Sequence, residues 1–203
     1  MTKIHIISLG LGNIGSVENM FKRLGVETVL CSTPDQLKDA EKIVLPGVGS
    51  FDHGMASLMN LGLQKALVEK VLIEKKKILG ICLGMQLLTL DSEEGSLKGL
   101  GLVNAKTKKF ISTPSIKVPH MGWNGISIVK ESSLTLSLPK DTRFYFVHSY
   151  YVECLDPRDV LIKAHHGRDF DAAFEHENIF GVQFHPEKSH RYGMQFLEEF
   201  SKL

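Results

Sequence analysis

The sequence predicts an α/β fold, a mainly parallel sheet flanked by helices with an attached smaller antiparallel sheet. Two observations carry this. Before Leu90, short β-branched runs alternate with helical stretches at the spacing of βαβ units. After Leu90 the segments shorten, alternate apolar with polar, and are separated by turn residues, as antiparallel strands are. At 203 residues the chain holds one sizeable core but is short for two, so a single domain over 1–203 is expected.

Ile4-His5-Ile6-Ile7 is the first expected strand. It runs into Gly10-Leu11-Gly12-Asn13-Ile14-Gly15, a literal G-x-G-x-x-G, followed by an amphipathic helix through Leu24. That is a dinucleotide fingerprint on motif alone. The second strand, Glu27 to Leu30, ends in Cys31-Ser32 with no acidic residue for a ribose, so a tight turn is the better reading. Lys42 to Leu45 is the third strand and stops at Pro46-Gly47-Val48-Gly49-Ser50. Glycines there expose backbone N–H groups to an anion or oxyanion, or simply connect strand to helix. Helical stretches through Leu58 and from Leu63 to Glu74 follow.

Lys75-Lys76-Lys77 leads into Ile78-Leu79-Gly80-Ile81-Cys82-Leu83-Gly84-Met85-Gln86. A buried strand, a Gly-x-Cys-x-Gly turn and a helical segment have the form of a nucleophile elbow with cysteine in the serine position. Such a turn leaves no room for side chains beside the nucleophile, and the helix start favours its thiolate. Asp91 to Ser96 reads as a solvated loop. Antiparallel segments are expected at Val103–Phe110, Gly125–Val129, Phe144–Val147, Val160–Ala164 and Ala172–Glu175. Ile179 to Phe184 is a late buried strand, and a final helix runs from about Ser189 to Phe200.

Hydrophobic content of 43% and a net charge of +1 argue against a nucleic-acid or acidic-membrane partner. No apolar run reaches spanning length and no signal-peptide core is present, so the cytoplasm is the expected compartment. Cys31, Cys82 and Cys154 are an odd number without metal-type spacing, which suits a reducing compartment.

A cysteine nucleophile needs a base, best held by a third group. His185 and Glu187 follow a core-type strand with Pro186 stiffening the turn between them, and one residue of separation puts both on one side of an extended segment. His120 and His148, in loop-like contexts, are second choices. Pro119, Met121 and Trp123 place large apolar groups in a loop, and Trp123 is the only tryptophan. Aromatics and Met are enriched in interface cores, whereas the alternative is a local core plug.

Pro46 to Gly49, Gly80 to Gln86 and Gly181 to Glu187 resemble the three signatures of class I glutamine amidotransferases. Lys117 to Asn124 and Tyr145 to Tyr151 narrow the resemblance to the glutaminase subunits of imidazole glycerol phosphate synthases. It runs from the first strand to the last helix. Ser8-Leu9-Gly10 departs from the family's usual Asp-Tyr-Gly.

The resemblance implies Cys82 as nucleophile, His185 as acid–base and Glu187 as its orienting carboxylate. It implies an oxyanion hole from Leu83 N–H and the loop Gly47, Val48, Gly49. Gln86, with backbone around His148, Ser149 and Tyr150, would hold the amino-acid end of glutamine. No metal or organic cofactor is implied. The implied partner is a (β/α)₈-barrel synthase subunit docking over Pro119, Met121, Trp123 and Asn124 and receiving the ammonia. Gly10 to Ser16 and Ser189 to Gly193 look closer to paralogues that feed a sugar amidotransferase in surface-polysaccharide synthesis, which is the alternative pathway.

Overall fold

The computed structural model describes residues 3–10 and 13–203. Leu11 and Gly12, inside the G-x-G-x-x-G, lie outside the described residues. The chain runs β1 (Ile4–Ile7), α1 (Ile14–Arg23), β2 (Thr28–Cys31), β3 (Lys42–Gly47), α2 (Phe51–Asn60), α3 (Leu63–Val68), β4 (Lys77–Cys82) and α4 (Leu83–Leu87). It continues through β5 (Ala105–Lys109), β6 (His120–Gly125), β7 (Ser127–Ile128), β8 (Arg143–His148), β9 (Tyr150–Cys154), β10 (Val160–His165), β11 (Asp169–His176), β12 (Ile179–Val182) and α5 (His190–Lys202).

The main sheet has the order β2-β1-β3-β4-β12-β11-β10-β7, with β5 and β9 attached through β11. From β2 to β12 the pairs are parallel; from β12 outward they are antiparallel. β6 and β8 form a separate antiparallel pair. The antiparallel segments therefore mostly extend the parallel sheet, and the small independent sheet is β6–β8 alone among the described residues.

Both faces of the parallel part are covered, and this is why β1 and β3 are continuous buried runs. Ile4, Ile6, Val44, Leu79 and Ile81 face one core with Phe21 of α1 and Phe196 and Phe200 of α5. Ile7, Ile43, Leu45 and Ile78 face the other with Met55 and Leu58 of α2, Leu67 of α3 and Met85 of α4. Period-two alternation assigns the two sets.

Three expectations need correction. The stretch around Pro119 to Asn124 is largely strand, β6, paired with β8 so that Trp123 opposes Tyr145 and His120 opposes His148. His120 and His148 are thus strand residues, both buried, and not loop residues. Tyr150–Cys154 is a strand that carried no separate expectation; only Ser149 divides it from β8. The helix expected from Leu63 to Glu74 is α at first and then a wider π-type turn over Glu69–Ile73.

Candidate active site

Register brings the carboxyl ends of three strands together. Gly47 at the end of β3 pairs with Cys82 at the end of β4, and Ile81 pairs with Val182, so Gln183 and His185 emerge beside Cys82. Cys82 sits at φ 54° and ψ −111°, a backbone state that side chains rarely occupy. Its neighbours hold it there. A Cβ on Gly84 would run into the Leu45 carbonyl oxygen, and one on Gly80 would lie 2.7 Å from Gly84 backbone atoms. Both positions demand glycine because backbone passes over them.

His185 is 2% exposed. Its backbone N–H donates to the Tyr145 carbonyl, and its own carbonyl accepts the Ser189 hydroxyl at 2.6 Å. His185 Nδ1 meets Glu187 Oε1 at 2.7 Å. The residues after His185 form a 3₁₀ turn, Pro186–Lys188, so the pair closes across a turn and not along an extended segment. Gly193 lets α5 lie against that turn, since a Cβ there would strike the Pro186 carbonyl. With Nδ1 bound to Glu187, Nε2 remains for the Cys82 side of the ring; it is buried and completes no hydrogen bond. Burial opposes a charge on His185, but the Cys82 sulfur and the Glu187 carboxylate outweigh it and push its pKa up to about 10.

A cavity of about 350 Å³ opens over Cys82, a volume suited to a small polar metabolite. Val48, Gly49, Leu83, Gln86, His148, Ser149 and Tyr150 all line it. Gly47 does not; it lies behind the wall, where a Cβ would be 3.1 Å from Leu83 Cβ. Pro119, expected at a docking surface, also lines the cavity. Met121 and Trp123 point away from it, 62% and 44% exposed, while His120 on the same strand is buried. Trp123 lies parallel to His190 at 5.5 Å and edge-on to Tyr145 at 6.2 Å. Asn124 turns inward and donates to the His165 carbonyl at 2.8 Å.

His120 and His148 are occupied elsewhere. His148 Nδ1–H donates to the Tyr150 carbonyl at 2.7 Å, so its Nε2 must accept, and it takes His120 Nδ1–H at 2.9 Å. Burial pushes their pKa values down to about 4 for His120 and about 3 for His148. Neither has a nitrogen free for Cys82, which leaves His185 as the candidate base.

Two residues were missed. Glu94, placed by composition in a solvated loop, is half-buried, lines the cavity and accepts the Phe51 N–H at 2.8 Å. Nothing in a polar run marks which of its carboxylates turns inward. Gln183 is fully buried behind Cys82, with Nε2 3.7 Å from the sulfur. Its polarity within an otherwise apolar run was the available signal. Gly15 shows the opposite outcome: it is exposed with nothing within 4 Å of a Cβ, so it lacks the packing role of a fingerprint's third glycine. Among the described residues no group of side chains could hold a metal ion, and no helix is long and apolar enough to cross a membrane.

The family described as "Glutamine amidotransferase class-I" matches residues 5–202. The chain is similar to "Imidazole glycerol phosphate synthase subunit HisH 2" of Methanococcus maripaludis, 50% identical, with 98% of each chain covered. The like-named subunit of Pseudomonas aeruginosa is 46% identical, covering 98% of this chain and 99% of the relative. HisH of Bdellovibrio bacteriovorus is 45% identical over 98% and 100%. The fold matches a glutamine amidotransferase crystal structure with a TM-score of 0.75, at 17% identity over 98% of both chains. It matches the structure of PurLQS from Thermotoga maritima with a TM-score of 0.74, at 17% identity over 99% and 98%. A cysteine elbow and a histidine–carboxylate pair over one cavity, on a chain whose sequence matches from the first strand to the last helix, lead to one conclusion: the chain belongs to the class I glutamine amidotransferases.

Proposed function

We propose that this chain is the glutaminase subunit of an imidazole glycerol phosphate synthase in histidine biosynthesis, with Cys82, His185 and Glu187 as its catalytic unit. The observation that carries the chemistry is His185, held by Glu187 on one nitrogen and open toward Cys82 on the other. The Cys82 thiolate attacks the side-chain carbonyl carbon of glutamine, and the electron pair moves to the carbonyl oxygen. The Leu83 N–H and the N–H groups of Val48 and Gly49, which line the cavity as Gly47 does not, stabilise that oxyanion. The tetrahedral intermediate collapses, the C–N bond breaks, and His185 gives its proton to the departing ammonia. Water, deprotonated by His185, then cleaves the glutamyl thioester and frees glutamate and Cys82. Gln86, with the backbone from His148 to Tyr150, holds the amino-acid end of glutamine.

The ammonia passes to a (β/α)₈-barrel synthase subunit docked over Met121 and Trp123. There it converts a phosphoribulosyl formimino intermediate to imidazole glycerol phosphate and an aminoimidazole carboxamide ribotide. Names of relatives at 42–50% identity over the whole chain support this pathway. A second reading keeps the chemistry and changes the recipient to a sugar amidotransferase of surface-polysaccharide synthesis. What favours it is the likeness of Gly10 to Ser16 and of Ser189 to Gly193 to such paralogues. Reconstitution with each candidate partner decides between them. Glutamine-dependent imidazole glycerol phosphate formation supports the first reading, and its absence with a sugar-amidating partner's activity present supports the second.

A further inference from the structure

Gln183 stands one residue beyond β12 and is 0% exposed, and its side-chain amide has two partners. Nε2 lies 3.7 Å from Cys82 Sγ, an ordinary length for a sulfur acceptor, and Oε1 accepts Gln86 Nε2–H at 3.1 Å. The amide orientation follows from one carbonyl. Gln86 Nε2 also donates to the Tyr150 carbonyl at 3.3 Å, and a backbone carbonyl can only accept. The nitrogen end of Gln86 therefore faces both Tyr150 and Gln183, so Gln183 must turn its oxygen to Gln86 and its N–H groups to the sulfur. Both donors of Gln86 are then used, and its Oε1, which accepts no bond among the described residues, is left to the cavity.

We propose that Gln183 is a positioning residue for the glutaminase reaction, joining the nucleophile to the clamp that holds the substrate. Its N–H supports the Cys82 thiolate from the side away from the substrate. Its carbonyl fixes the Gln86 amide so that an acceptor oxygen faces the substrate's α-ammonium group. Burying an amide costs free energy unless both ends are bonded. Here both ends are bonded to cavity-lining residues and to nothing else in the core. Leucine would fill the space at lower cost if packing were its only role. The proposal rests on the assignment of Cys82 as nucleophile.

The test uses the full chain assembled with its synthase subunit and compares Gln183→Leu, Gln183→Glu and Cys82→Ser. Glutamine kcat and KM are measured, together with the rate of iodoacetamide alkylation against pH. Burial raises the pKa of both other thiols, to about 11 for Cys31 and higher still for Cys154, so alkylation at neutral pH reads Cys82. Cys82→Ser supplies the background. Gln183→Leu removes both bonds and should raise KM, lower kcat, and cut kcat/KM by about tenfold or more, the scale of a hydrogen bond to a charged group. Gln183→Glu keeps the oxygen toward Gln86 and sets an acceptor against the sulfur. It should leave KM within about threefold while kcat falls and the alkylation midpoint moves to higher pH than in wild type or Gln183→Leu.

If Gln183→Leu does not fold, the midpoint and the kcat–KM split of the near-isosteric Gln183→Glu decide. An unmoved midpoint, or a kcat per folded molecule equal to wild type with KM unchanged, reduces Gln183 to a core residue and overturns the proposal. Glutamine hydrolysis surviving in Cys82→Ser overturns instead the assignment on which it rests.

Discussion

At Cys82 a strained backbone, a flanking pair of glycines and a buried histidine meet in one residue. Holding φ at 54° costs about 1–3 kcal/mol, and the surrounding strand and helix must supply it. The same strain lifts the sulfur into the cavity, toward a His185 whose charge its neighbours stabilise. The pKa of His185 rises from 6.5 to about 10 on folding, so its charge stabilises the folded state. That contribution is complete below pH 6.5 and is lost as pH rises through about 10. Thermal midpoints taken from pH 7 to pH 10 should fall in the wild type and stay flatter in His185→Gln; parallel curves would remove His185 from the account. His185→Ala should reduce glutamine turnover about as severely as loss of the nucleophile, because members of a catalytic unit are not additive. Near-normal turnover in that variant would send the base assignment elsewhere. His120 and His148, with both nitrogens of His148 bonded and both rings held neutral, are poor replacements.

At the scale of elements, what was legible in the sequence is what backbone geometry enforces. β1, β3, β4 and β12 read as buried strands because both faces of the parallel sheet are covered. The elbow read as an elbow because no other residue fits at positions 80 and 84. Legibility failed where pairing, not local pattern, makes the element. β6 contains Gly122 and follows Pro119, so it carries loop-like composition and becomes a strand only against β8. β9 follows β8 after one residue and offers no turn signal. Glu94 enters the cavity through the packing of its loop, which no spacing encodes. The glycines separate these cases experimentally. Gly84→Ala should cost about 1–3 kcal/mol or more in unfolding free energy, because Leu45 backbone blocks it. Gly15→Ala, exposed near the start of α1, should stabilise by about 0.4–1 kcal/mol. Equal effects in denaturant unfolding would contradict the packing difference between the two motifs.

The whole molecule places its chemistry under one edge and its exposed apolar side chains beside it. Pro119 lines the cavity, and two residues along the same segment Met121 and then Trp123 face outward. A docked partner would cover both and lie next to the departing ammonia. Trp123→Ala should weaken partner affinity by at least about 2 kcal/mol while the midpoint of the lone chain stays near wild type. A collapsed midpoint with unchanged affinity per folded molecule would make Trp123 a core residue. The proposed oxyanion donors, the Val48 and Gly49 N–H groups, would also give the partner something to order. The isolated chain is expected to hydrolyse glutamine weakly and to gain about 10²–10³ in turnover when the liganded partner aligns one further donor. Full activity alone would mean a preformed hole.

The central claim is that glutamine is opened at Cys82 and that its ammonia is used at a second, separate site. The most direct test supplies the assembled Cys82→Ser complex with glutamine in one assay and with ammonium salt in another, and measures product formed by the synthase subunit. The account predicts no product from glutamine and near-wild-type product from ammonia. Product from glutamine, or loss of both activities in a folded and assembled complex, would contradict it.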